Sequence, residues 1–137
     1  MTKPIKAVVC DFDGTFSTLR CGWEAVMKCM MMKYLLDEAW IDEFIGETTG
    51  VQTILQMKGF VEELGRRGIN GLSHDPWIYK NAYNDMLMES VAVKRDKVIA
   101  GKVPAVTYHV PGALLFLQAL KTRGVKVYFA SGTDQAD

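Results

Sequence analysis

Two short apolar runs that do not alternate with polar residues, "IKAVVC" at 5–10 and "VKVYFA" at 125–130, stand near opposite ends of this chain. A β-branched run of this kind fits a strand buried on both faces, the habit of parallel sheets, whose neighbouring strands need a crossover connection. The second run follows an amphipathic stretch, "PGALLFLQALKTRG", in which Ala113, Leu114, Leu117 and Leu120 recur at helical spacing. Pro111 suits the first turn of that helix and Gly124 its end. A helix leading into a buried strand, with another buried strand far upstream, predicts a Rossmann-like parallel α/β core.

The sequence between the runs carries no strand signal. Trp23, Val26, Met27, Met30 and Tyr34 mark one apolar face of a helix over 22–36. A short helix is expected from Glu38 to Ile45, closed by Gly46. Val51, Ile54, Leu55, Met57, Val61 and Leu64 mark another, capped by Thr49. In "SHDPW", Asp75 can cap and Pro76 can take the first helical position of a helix that reaches Ile99. The pattern predicts an all-helical insert at 16–105 within an α/β core formed by 1–15 and 106–137.

The chain has 137 residues, 49% of them hydrophobic, with 16 basic and 16 acidic side chains and a formal charge of +0. That suffices for a buried core and supplies no basic field for nucleic acid or an anionic membrane surface. No apolar run approaches the roughly 18 residues of a membrane span, and the N-terminus lacks a leader pattern, so a cytoplasmic protein is expected. Cys10, Cys21 and Cys29 show no CxxC spacing and are read as reduced packing residues. His74 and His109 lack partner spacing and read as structural or solvent-facing; "CMMMKY" reads as helical core with surface spill rather than a partner groove.

The first run ends in "CDFDGTFS". Carboxylates at the end of a parallel strand face the crevice where open α/β sheets bind ligands. Asp11 and Asp13, two apart on a period-two chain, point to the same side. Their mutual repulsion calls for a divalent cation. One division of labour is Asp11 as nucleophile, forming an aspartyl-phosphate, with Asp13 as proton donor to the leaving alcohol and later base for water. Gly14 permits a sharp bend and the Thr15 hydroxyl can tie it.

"DFDGT" closing an N-terminal apolar strand resembles the first motif of the haloacid dehalogenase (HAD) superfamily, and "VPGALLFLQALKTRGVKVYFASGT" resembles that family's second-motif region. The helical insert is similar to its C1-type cap. The resemblance implies an HAD-like phosphatase: Mg²⁺-dependent hydrolysis of a phosphate monoester, with Asp11 and Asp13 at the metal and Ser131 and the Gly132 amide on the phosphoryl group. Asp13 sets this chain apart from the family's dehalogenases, which replace that acid; a phosphomutase would keep both acids. The implied partner is a small phosphorylated metabolite, with neither nucleic acid nor membrane.

The family pattern continues with a lysine and one or two further acids, whereas this sequence ends at Asp137, and Lys121 and Lys126 stand before the second motif. The competing reading is therefore a truncated or non-catalytic phospho-ligand-binding or interaction module. The 137-residue chain alone is expected to be inactive, and either an oligomer or a longer parent chain is expected to cover sheet edges around Val8 and Tyr128. Arg66 and Arg67 in "GRRG" are a solvated turn or a contact for an anionic substrate. Arg20, Trp23, Lys28 and Lys33 are positional candidates for substrate choice.

Overall fold

The computed structural model describes residues 4–131. Strand β1 (Ala7–Asp11) is followed by helices α1 (Trp23–Met31), α2 (Glu38–Glu47), α3 (Thr53–Arg66) and α4 (Pro76–Ile99), a 3-10 turn (Ala105–Tyr108), helix α5 (Ala113–Thr122) and strand β2 (Lys126–Ala130). The topology is α/β: β1 and β2 pair in parallel, and an all-helical segment is inserted between them. The chain divides into two compact units, one formed by residues 1–21 and 90–137, the other by Gly22–Glu89. No helix among the described residues is long and apolar enough to cross a membrane.

In the α/β unit the register runs from Ala7 opposite Lys126 to Asp11 opposite Ala130. Alternation sets Val8, Cys10, Val127 and Phe129 on one face of the ribbon and Ala7, Val9, Asp11, Tyr128 and Ala130 on the other. Burial on both faces, expected from the unalternating runs, is not found. Helix α5 packs on β2, and Val8, Cys10 and Val127 are half-buried, whereas Val9 is 71% and Tyr128 54% exposed. β-branched composition records strand preference and does not by itself say how many faces are covered.

The helix before β2 starts at Ala113, not at Pro111, because Gly112 takes the cap position at φ 83°. This left-handed conformation costs glycine little and other residues more. Gly124, at φ 69°, ends the turn as expected.

The helical unit closes around Met27, Met30, Met31, Ile41, Met57, Phe60 and Tyr79, all essentially without solvent contact. Trp23, Val26 and Tyr34 pack against this core half-buried. Tyr34, Phe60 and Tyr79 meet edge to face, with centroids 5.0–6.4 Å apart, a geometry that places positive ring edges on negative faces. In "CMMMKY" Met30 and Met31 are core and Met32 and Tyr34 are half-buried, whereas Lys33 is exposed and so is Cys29, off the stripe that buries Met27, Met30 and Met31; Cys21 is exposed too. Only Cys10 is half-buried, so packing describes that cysteine alone; all three are free thiols.

Other helix ends differ from the sequence reading as well: α1 runs only to Met31, short of residue 36. Helix α2 continues through Gly46 to Glu47. Thr49 does not cap α3; its hydroxyl donates to the Ile45 carbonyl at 2.9 Å, while Thr48 donates to the Phe44 carbonyl at 2.7 Å. Hydroxyls satisfying α2's last carbonyls compete with the capping role, and α3 starts after Gln52 instead. The expected start of α4 is present: the Trp77 amide donates to Asp75 Oδ1 at 3.0 Å, with Pro76 as the first helical residue.

Candidate functional site

Asp11 closes β1, and the chain turns at once. The amides of Phe16 and Ser17 donate to the Phe12 carbonyl, and the Gly14 amide donates to the Ser17 carbonyl at 2.7 Å. Gly14 sits at φ 76°, so a side chain there would strain the turn. The Thr15 hydroxyl donates to Asp11 Oδ2 at 3.0 Å, which fixes the carboxylate rotamer and spares Oδ1. The segment is then held from the far end of the unit: the Thr18 amide donates to the Tyr108 carbonyl at 2.9 Å and the Val110 amide to the Phe16 carbonyl at 3.0 Å. Lys94 adds a clamp that sequence reasoning missed, its ammonium donating to the carbonyls of Leu19 and Cys21 at 2.7 and 2.8 Å. A helical lysine carries no signal of such a role in sequence.

The parallel register places the end of β2 beside the end of β1, and Ser131 follows directly after it. Ser131 Oγ lies 3.5 Å from Asp13 Oδ2, across 118 positions of sequence. Asp11, Asp13 and Ser131 thus share one end of the ribbon, Asp11 and Ser131 exposed and Asp13 half-buried. Gly132 lies outside the described residues. Two carboxylates with a hydroxyl present mostly acceptors, so an anion reaches them only together with a cation. Among the described residues no group of three or more His, Cys, Asp or Glu side chains is placed to hold a metal ion.

The cationic candidates Arg66, Arg67, Lys28 and Lys33 have local duties within the helical unit. Arg66 forks onto both oxygens of Glu63 at 2.6 Å, and Arg67 binds Glu63 and, at 2.7 Å, Asp37. Hydrogen bonds from Arg66 first, then Arg67, hold the Glu63 carboxyl at about 2, and Arg67 lowers that of Asp37. Arg67 also lies 5.5 Å over the Trp40 ring, so "GRRG" is a structural clamp between α2 and α3, not a waiting anion site. Lys28 pairs with Glu38 and Asp42 at 2.6 and 2.8 Å, and Lys33 reaches the Met86 sulfur at 3.4 Å. His74 is exposed.

His109 is the second feature the sequence did not disclose. It is half-buried, and its Nδ1 is buried with no hydrogen-bond partner among the described residues. Comparison of the chain with protein-family models, curated proteins and solved structures gives no match.

Proposed function

We propose that this chain is an α/β phospho-ligand-binding module of the HAD-like kind, with Asp11, Asp13 and Ser131 as its phosphoryl site. The observation that supports this reading is the meeting of Ser131 with Asp13 at the ends of adjacent parallel strands. Strand ends of open α/β sheets are where ligands bind, and a hydroxyl there is a natural donor to a phosphoryl oxygen. The two carboxylates fit a hard divalent cation that takes the rest of its oxygen shell from phosphate and water, the usual habit of Mg²⁺. Bound there, Mg²⁺ would neutralise the charge of the incoming phosphate. Because no group of three or more His, Cys, Asp or Glu side chains among the described residues is placed to hold a metal, cation and phosphate would bind together, which suits recognition better than a prebuilt metal centre.

Hydrolysis is the second reading, favoured by the Thr15 bond that orients Asp11 while sparing Oδ1. In that reaction Asp11 attacks phosphorus, the ester oxygen leaves with a proton from Asp13, and Asp13 then activates water against the aspartyl-phosphate. Calorimetric titration with phenyl phosphate separates the readings. Binding should require Mg²⁺, fall about ten-fold or more in Ser131→Ala, and vanish in Asp13→Asn. Mg²⁺-independent binding, or binding indifferent to both substitutions, would remove the phosphoryl site. Release of phenol by the unaltered chain, lost in Asp11→Asn, would establish hydrolysis.

A further inference from the structure

The α/β unit contains a cavity of about 320 Å³, and all its walls come from that unit. Phe12, Phe16 and Phe129 form one aromatic wall, the latter two meeting edge to face at 5.2 Å. Val98, Ile99, Leu114 and Leu117 supply aliphatic surface. Volume and lining fall in the range of pockets that take small organic ligands. Polar groups at the walls are few, and one of them is His109, whose Nδ1 is buried without a partner. A buried ring nitrogen left unmet is costly; in the neutral tautomer protonated on Nε2 it is an acceptor, and that tautomer singles out a ligand that brings a donor. The imidazole turns about its Cβ–Cγ bond, which lets a donor at the cavity wall draw Nδ1 to itself.

We infer that this cavity binds a small, flat, largely apolar molecule carrying a single N–H or O–H donor, received by His109. The cavity wall at Phe129, the partner of Cys10, lies on the face of the ribbon opposite Asp11, and neither Asp11 nor Asp13 lines the cavity. The inference therefore stands or falls independently of phosphate binding.

The test uses indole and its donor-free counterpart indene, titrated into the full chain and followed by amide chemical shifts. Indole should move the signals of Phe12, Phe16 and Phe129 and bind about five- to ten-fold more tightly than indene, the worth of one hydrogen bond. His109→Phe should abolish that preference. Ala105→Trp, which fills the cavity from an exposed 3-10 position, should weaken both probes more than about ten-fold, a loss consistent with displacing the ligand's buried contacts. If Ala105→Trp lowers the melting temperature, Leu114→Trp on the exposed side of α5 serves in its place. Shifts mapping outside the cavity, equal affinity for the two probes, or sedimentation as a dimer that resists both probes would overturn the inference.

Discussion

The two units are made from similar one-sided elements but bury them to different extents. Of the fourteen buried apolar side chains among the described residues, twelve belong to the helical unit and two, Phe16 and Ala113, to the α/β unit. The α/β unit instead leaves Val9, Phe12, Leu115, Phe116, Tyr128 and Phe129 exposed to 41–72%. Four helices can close a core among themselves, because each needs only one apolar stripe covered. A parallel ribbon has two faces and two edges, and among the described residues one helix packs on it. The stability of the molecule should therefore reside in the helical unit, and its ligand chemistry in the other.

The largest expected effect of breaking this division is at Phe60, which has no solvent contact and touches the rings of Tyr34, Trp40 and Tyr79. Phe60→Ala should cost about 3–5 kcal/mol in urea unfolding, whereas Phe129→Ala, about half exposed at the start, should cost roughly 1–2 kcal/mol. Equal costs would mean that the α/β unit is packed as tightly as the helical one.

Glu63 sharpens the comparison through pH. Its folded carboxyl titrates at about 2, below its ordinary 4.5, because Arg66 and Arg67 hydrogen-bond its charged form. A depressed carboxyl contributes stability in full above 4.5 and loses it as pH falls from there through about 2. Glu63→Gln should therefore destabilise the helical unit by on the order of 1–3 kcal/mol at pH 7, after allowance for solvent screening. The two proteins should converge near pH 2. A constant gap across that range would show that the effect is packing rather than charge.

The smallest effect concerns the entry to α4. Asp75→Ala removes the side-chain acceptor from the Trp77 amide and should cost about 1 kcal/mol, with Asp75→Asn nearly neutral. Thermal melting read by circular dichroism would resolve the difference.

The same contrast governs how much was legible in sequence. Helices α1 and α3 follow from a periodic apolar face, a local signal, and "DPW" marked the start of α4 because cap and proline act within one turn. The parallel pairing of β1 with β2 was readable from unalternating runs separated by a helix, and with it the approach of Ser131 to Asp13. Which sheet face is covered was not readable, since that depends on residues brought from elsewhere in the chain. Thr49 was misassigned because a threonine between two helices can satisfy either one, and only the path of the backbone decides. Arg66 and Arg67 read as a solvated turn or an anion contact because Asp37 lies 30 positions away and carries no sign in sequence of its pairing with Arg67. The cavity beside His109 is assembled from several segments and left no local trace.

The most direct test of the account is native-state hydrogen exchange of the full chain, with and without Mg²⁺ and phenyl phosphate. Amides in α1 and α3 should exchange slowly in both conditions. Those of β1 and β2 should exchange faster without ligand, as expected for a ribbon with an open face, and gain at least about ten-fold protection when cation and phosphate are present together. Strand amides as protected as the helical core from the start, and unmoved by Mg²⁺ with phosphate, would contradict both the division between the units and the phosphoryl site at their strand ends.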